Sequence, residues 1–284
     1  MIKKTWMDNI CKDGDKAWFV AADWNALFEY EKESDTWRYL AVLPDYEQGK
    51  VRLNSKCFKW GNDIICFPIY GNSIWVFDLN TQKWDRIEVD NPDNKVINMY
   101  DFWEWQGNIY TISRGLNRLF EIDVNERKII TSYTILEDES EKYGGCVKVQ
   151  DSIYVLAIGK NCIYEFLLKN KYIKKHSLNV GDDELSRITY DGEKFWISSW
   201  NKAIYAWNRE NGDVRKIEGF PKDFGEYDYT EEFVLKFSVE RFKFPAFLFA
   251  SCSEKYVWFI PHLTNKIVYV DKSDYKVCTL DVPE

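Results

Sequence analysis

This sequence predicts an all-β fold of six four-stranded antiparallel blades, a six-bladed β-propeller, and three observations predict it. One apolar signature recurs six times in 284 residues. Each copy is followed by a further apolar residue at a constant distance. The first half of the signature is apolar at consecutive positions, which calls for burial on both faces; stacked blades provide that, whereas an open sandwich buries alternate residues along most strands.

Taken in order, the first halves are Ala17-Trp18-Phe19-Val20, Ile64-Ile65-Cys66-Phe67, Ile109-Tyr110-Thr111-Ile112, Ile153-Tyr154-Val155-Leu156, Phe195-Trp196-Ile197 and Val257-Trp258-Phe259-Ile260. The second halves are Leu27-Phe28-Glu29-Tyr30, Ile74-Trp75-Val76-Phe77, Leu119-Phe120-Glu121-Ile122, Ile163-Tyr164-Glu165-Phe166, Ile204-Tyr205-Ala206-Trp207 and Ile267-Val268-Tyr269-Val270. Their β-branched and aromatic content reads as strand. Ten positions after each second-half anchor stands another apolar residue: Trp37, Trp84, Ile129, Ile173, Val214 and Val277. Turn-forming segments such as Asn208-Arg209-Glu210-Asn211-Gly212-Asp213 lie between. Short strands upstream, for example Lys56-Cys57-Phe58-Lys59-Trp60, complete four per unit, named a to d.

The first-half anchors step by 47, 45, 44, 42 and 62 residues, a period suited to four-stranded blades. Blades are expected at approximately 5–43, 54–90, 99–136, 143–179, 185–219 and 245–283, in one domain spanning 1–284 with a long insertion at 220–244. Residues 5–13 are expected as the first strand a and Tyr275 to Asp281 as the last strand d. Neither end then lends a strand to the other, and a monomeric ring closes by apolar packing.

The unit resembles the kelch-type blade, most closely at Ser73-Ile74-Trp75-Val76-Phe77-Asp78 leading to Trp84, and at Tyr30-Glu31 leading to Trp37. The likeness covers nearly the whole chain as a period. The Gly-Gly pairs that usually end strand b in that family are missing, their places taken by Pro68-Ile69-Tyr70-Gly71, Ser113-Arg114-Gly115 and Ala157-Ile158-Gly159.

Composition narrows the function. The chain carries 13 Trp, 18 Tyr and 18 Phe, a payload that only an extensive core can hide. With 38 basic and 46 acidic residues the net charge is −8, and no Lys/Arg cluster interrupts it, which argues against phosphate-dominated nucleic-acid binding. No run of apolar residues approaches a membrane span, and the first residues lack a secretory leader pattern, so the expected address is the cytoplasm. Seven scattered cysteines without a Cys-x-x-Cys pair read as reduced thiols. Those on the a strands, Cys11, Cys57, Cys146 and Cys252, are expected as small buried hydrophobes rather than metal ligands.

In such a blade the b–c turns and d–a connections share one face. The b–c turns each hold an Asn before strand c, read as a turn residue that tolerates the left-handed conformation rather than as an amide ligand. The residues that vary there are candidates for recognition: Trp24, Tyr70, Arg114, Lys160, Trp200 and His262 from the turns, and Arg52, Tyr100, Asp101, Tyr143 and Arg187 from the connections. Aromatics beside arginine suit a protein hot spot or sugar stacking. The insertion, with Thr230-Glu231-Glu232-Phe233 as a helix start or a strand, is expected to be a docking arm over the channel mouth.

Catalytic chemistry has few ways to assemble. His176 and His262 are the only histidines and fall in different blades, and Gly144-Gly145 lacks the helix and Lys of a phosphate loop. The acidic runs Asp182-Asp183-Glu184 and Glu137-Asp138-Glu139-Ser140-Glu141 read as solvated loops. The reading is a binding or scaffold propeller presenting one loop face to a protein or peptide partner, with carbohydrate as an alternative ligand and with no cofactor, catalytic residue or metal assigned. The second reading is a carbohydrate-active or metal-assisted lyase or hydrolase, its site at the channel mouth among Asp101, Arg114, Arg187 and Trp200.

Overall fold

The computed structural model describes residues 7–138, 141–158, 160–200, 202–225, 246–261 and 264–281. Among them there are six four-stranded antiparallel sheets, each following chain order, and no helix. The first unit, Met1–Ile135, holds three of the sheets. They are β1 (Cys11–Asp13), β2 (Lys16–Ala21), β3 (Ala26–Glu31) and β4 (Thr36–Val42); β5 (Lys56–Trp60), β6 (Asp63–Phe67), β7 (Ser73–Asp78) and β8 (Lys83–Glu88); β9 (Met99–Trp105), β10 (Asn108–Ser113), β11 (Arg118–Asp123) and β12 (Lys128–Tyr133). The second unit, Leu136–Glu284, holds the others. They are β13 (Lys142–Val149), β14 (Ser152–Ile158), β15 (Cys162–Leu167) and β16 (Tyr172–Ser177); β17 (Leu185–Tyr190), β18 (Phe195–Ser199), β19 (Ile204–Trp207) and β20 (Val214–Ile217); β21 (Phe247–Cys252), β22 (Tyr256–Pro261), β23 (Lys266–Asp271) and β24 (Val277–Asp281).

Burial on both faces is visible residue by residue. Along β6, Ile64 and Cys66 pack with Trp18, Val20 and Leu27 of the first sheet, whereas Ile65 and Phe67 pack with Met99, Ile109 and Phe120 of the third. Side chains alternate between the faces of a strand, so a central sheet must be apolar at every position. The second unit repeats this. Phe195 and Ile197 of β18 pack towards the fourth sheet, and Trp196 between them packs with Phe247 and Phe259 of the sixth. Each such large side chain contributes on the order of 1.5–3 kcal/mol by leaving water.

The constant spacing between strands c and d has a local cause. In all six c–d turns the residue before strand d, or one of the two before it, is left-handed: Asp35, Gln82, Arg127, Lys171, Gly212 and Tyr275 have φ of 48°, 56°, 52°, 58°, 80° and 64°. Asp78, Asp123, Asn208 and Asp271 open four of these turns with a side-chain oxygen that accepts from a backbone N–H two or three residues on. One turn geometry used six times fixes one distance.

Glycine permits close approach at two places. A Cβ on Gly145 in β13 would lie 2.7 Å from the Ile188 amide nitrogen of β17, and one on Gly115 would lie 1.5 Å from the Val96 carbonyl oxygen. The Gly144-Gly145 pair therefore serves packing between first strands.

Two boundaries differ from the sequence expectation. The last strand d begins at Val277, because Tyr275 is the left-handed residue of the turn before it. Within the described residues the first strand a is only Cys11–Asp13, with residues 7–10 outside it. Asn9 replaces ladder pairing with side-chain pairing: its Oδ1 accepts from the Cys57 N–H at 2.8 Å and its Nδ2 donates to the Cys57 carbonyl at 2.8 Å. Of the insertion, Thr230 to Phe237 lies outside the described residues. Its first residues are anchored in the second unit, where Phe220 stacks on Phe224 at 4.9 Å and Asn265 Oδ1 accepts from the Gly225 N–H.

Candidate functional site

Turns and connections of the first unit are zipped together by backbone bonds. Arg52, between β4 and β5, donates its N–H to the Ala22 carbonyl at 2.8 Å and accepts from the Tyr70 N–H at 3.2 Å. Those bonds hold it in the left-handed region at φ 57°, uncommon for a non-glycine residue. In the next connection Asn98 repeats the arrangement at φ 57°, donating to Ile69 and accepting from Arg114. The backbone thus aims the side chains of Arg52, Tyr70 and Arg114 from a fixed frame.

Five of the sequence candidates meet here. The Arg52 guanidinium donates to Asp8 Oδ1 and to the Tyr100 hydroxyl, each at 2.9 Å, and lies 6.0 Å from the Tyr70 ring. Arg114 donates to Asp101 Oδ2 at 3.1 Å and stands 5.4 Å from the Tyr100 ring. Lys56 stands 5.4 Å from that same ring and donates to the Asp8 carbonyl at 3.3 Å. Tyr100 is the hub: two cations approach its ring and a third its hydroxyl, an arrangement the ring quadrupole favours.

Asp8, Ser55 and Lys56 belong to this cluster and were not singled out from the sequence. Ser55 donates to Asp8 Oδ2. Lys56 occupies the first position of β5 and so borders a d–a connection, a signal that could have found it. Asp8 gave none, because it fell within the expected first strand a rather than on a turn or connection.

Among the described residues, three cations of the cluster face two carboxylates, in a chain whose net charge is −8. Burial lowers the pKa of Lys56, with Asp101 and Asp8 opposing and Arg114 adding to the effect. For Arg52 burial also disfavours the charge, but Tyr100 and Asp8 outweigh it and the pKa is raised. Burial raises the Tyr100 hydroxyl, so it remains a neutral donor and acceptor. Tyr70 is 53 % exposed beside this group, and Trp24, 46 % exposed, packs its ring 5.7 Å from Phe28.

The candidates of the second unit are disposed differently. Tyr143 is interior, 3 % exposed. Arg187 donates to the carbonyls of Leu248 at 2.7 Å and Ser186 at 3.1 Å. Trp200 is half-buried and gives its backbone N–H to Glu184. His262 lies outside the described residues. Three of the turn asparagines, Asn25, Asn117 and Asn161, are left-handed, whereas Asn72 and Asn265 are not and Asn201 lies outside the described residues; the Asn25 amide is spent on Leu53 N–H and the Lys50 carbonyl.

A second repeated feature was missed by the sequence reading. Glu29, Glu121 and Glu165 sit at one position of strand c, each directly across from an aromatic of strand b: Trp18, Tyr110 and Tyr154. All three are buried. Glu29 accepts from Trp18 Nε1 at 3.0 Å and Arg38 at 2.9 Å, and Glu121 from Asn108 at 3.0 Å and Tyr133 at 2.7 Å. Glu165, at 0 % exposure, accepts from Ser152, Tyr154 and Arg209 and pairs with His176 Nε2 at 2.8 Å. Those partners outweigh the cost of burying it and hold its pKa down at about 2. Clefts of about 210 Å³ and 180 Å³ open beside Tyr154 and Arg209 in the second unit and beside Glu29 and Arg38 in the first.

The acidic runs are not uniformly solvated, as the sequence reading expected. Glu141 is buried and accepts from Tyr164, and Asp183 accepts from Tyr205 and Lys216. No group of three or more His, Cys, Asp or Glu side chains gathers as metal ligands among the described residues.

No protein-family model matches the chain, and no curated protein does. Solved structures do. Virginiamycin B lyase from Staphylococcus aureus is 14 % identical with a TM-score of 0.69, over 97 % of this chain and 84 % of that one. The WD40 β-propeller domain of Doa1 is 12 % identical with a TM-score of 0.62, over 98 % and 83 %. BamB from Moraxella catarrhalis is 10 % identical with a TM-score of 0.62, over 96 % and 76 %. Similarity at this identity speaks to fold alone, and with the six sheets it makes the chain an all-β six-bladed β-propeller.

Proposed function

We propose that the chain is a binding propeller whose first-unit face takes a protein or peptide segment bearing an acidic side chain. The observation that carries this is the cluster of Arg52, Lys56 and Arg114 around Tyr100, in which cations outnumber carboxylates among the described residues, bordered by exposed Tyr70. An incoming carboxylate meets preorganised donors, and apolar side chains beside it cover Tyr70 and the exposed Val51 and Val96 on the neighbouring connections. Solved propellers of similar fold include a lyase as well as WD40 and BamB propellers, so fold does not choose. The state of the carboxylates favours binding: Asp8 and Asp101 are each held by an arginine, an arrangement suited to positioning cations and poorly suited to proton transfer.

Peptides selected on the full chain from a random displayed library test the reading. Enrichment of Asp or Glu beside an aromatic or aliphatic residue is expected, with affinity falling about 30-fold in Arg114→Glu, the effect of losing one hot-spot contact of about 2 kcal/mol. Tyr172→Ala, at an exposed strand position of the second unit, is the control and leaves affinity unchanged. Selected peptides without acidic residues, or equal binding by Arg114→Glu, would sink the proposal.

A further inference from the structure

Cys11 of β1 and Cys57 of β5 bring their sulfurs to 3.4 Å, thiols in van der Waals contact across two neighbouring sheets of the first unit. Both cysteines are free. We infer that they form a reversible thiol–disulfide site, a covalent fastening of the segment around residues 8–13 to the second sheet, driven by a low-molecular-weight disulfide. It does not depend on the binding reading above.

Three features support the pair. The backbone on either side is already held in place: Asn9 clamps both backbone groups of Cys57, and β1 pairs with β2 in the register Cys11↔Trp18. Closing the bond therefore asks the sulfurs to approach without moving the chain far, the condition that decides whether a disulfide forms unstrained. The two thiols also differ in access. Cys11 is partly exposed, whereas Cys57 is fully buried and donates to the Trp18 carbonyl at 3.3 Å. Contact with Cys11, then burial, keeps the Cys57 thiol well above its ordinary pKa. Cys66, the register partner of Cys57 across β5 and β6, is equally buried, but the sulfur contact observed among these thiols is the one between Cys11 and Cys57.

The chemistry follows from that asymmetry. The thiolate of Cys11 attacks one sulfur of glutathione disulfide, the S–S bond breaks and one glutathione thiolate leaves, giving a mixed disulfide on Cys11. Cys57 loses its proton to that departing thiolate and attacks the Cys11 sulfur, and the second glutathione leaves. Two protein thiols are oxidised to one disulfide while one glutathione disulfide is reduced to two thiols. Because 45 residues lie between the cysteines in sequence, the bond removes a large loop from the unfolded ensemble.

The test equilibrates the full chain with glutathione disulfide, blocks remaining thiols, and maps peptides without reduction. A linked pair of peptides carrying Cys11 and Cys57, reversed by dithiothreitol, is expected, together with a rise of the unfolding midpoint on the order of 5 °C. Cys11→Ser should lose both signals and Cys252→Ser neither. A Cys57–Cys66 link, a stable glutathione adduct on Cys11, or blocked free thiols at both positions would each overturn the inference.

Discussion

In the first unit a connection, two b–c turns and the start of β9 bring Arg52, Tyr70, Arg114, Tyr100 and Asp101 into one charged and aromatic group with Tyr70 open to solvent, whereas in the second unit Tyr143 is interior and Arg187 is tied to backbone carbonyls. Tyr100, Asp101, Tyr143 and Arg187 lie on first strands and not on the connections expected from sequence. Asp101 and Arg187 stand at matching places in their sheets, opposite Ile112 and Ser198. Exposed large apolar side chains occur on strands in both units, Trp37, Tyr39, Val42 and Ile130 in the first and Tyr172, Phe249 and Leu280 in the second, but those on turns and connections among the described residues, Trp24, Tyr46, Val51, Tyr70 and Val96, belong to the first. A repeat position is thus an address, not a role. Its side chain serves recognition where neighbours leave it exposed, and architecture where they enclose it.

The buried glutamates let that difference be measured. Glu165 of the second unit, at 0 % exposure, is held by Ser152, Tyr154, His176 and Arg209, while Glu29 of the first is held by Trp18 and by Lys16 and Arg38, whose side chains reach solvent. Glu165→Ala strands several buried donors and should cost about 3–5 kcal/mol in urea unfolding; Glu29→Ala strands only the Trp18 indole N–H while the exposed cations rehydrate, and should cost about 1–2 kcal/mol. Equal losses would break the comparison.

Acid unfolding gives the next largest effect. The folded pKa of Glu165 lies below its unfolded value, so its stabilisation is complete above the unfolded pKa of about 4.5 and is lost as pH falls towards about 2. The gap corresponds to about 3 kcal/mol. Stability of the wild-type chain followed from pH 5 downwards should show this loss, and Glu165→Gln should flatten it.

Smaller effects sharpen the contrast between the two sets of turns. Arg187→Ala removes donors from two backbone carbonyls and should lower stability by about 1–2 kcal/mol while leaving peptide affinity untouched. Tyr70→Ala, at an exposed turn, should change stability by less than about 0.5 kcal/mol and weaken peptide binding several-fold. Exchange of these outcomes would mean that recognition resides in the second unit.

Much of the fold was legible because its cause is local or periodic. A strand apolar at every position, such as Ile64 to Phe67, announces two buried faces, and the six c–d turns keep one length because one left-handed geometry closes each of them. The site was legible only in part. Arg52, Tyr100 and Arg114 were visible as variable residues beside turns, but Asp8 lay within an expected strand, and nothing local told the exposed Tyr70 from the buried Tyr143.

By itself the sequence determined that six four-stranded units recur, which apolar runs form their inner strands and how those strands alternate, since these depend on neighbours a few residues away. Tertiary structure alone decided which polar groups meet: Asp8 with Arg52, Arg209 with Glu165, Cys11 with Cys57. Each of those pairs joins residues about one repeat apart, brought together by packing of adjacent sheets, and the free energy of such contacts depends on burial and partner geometry that no local window contains.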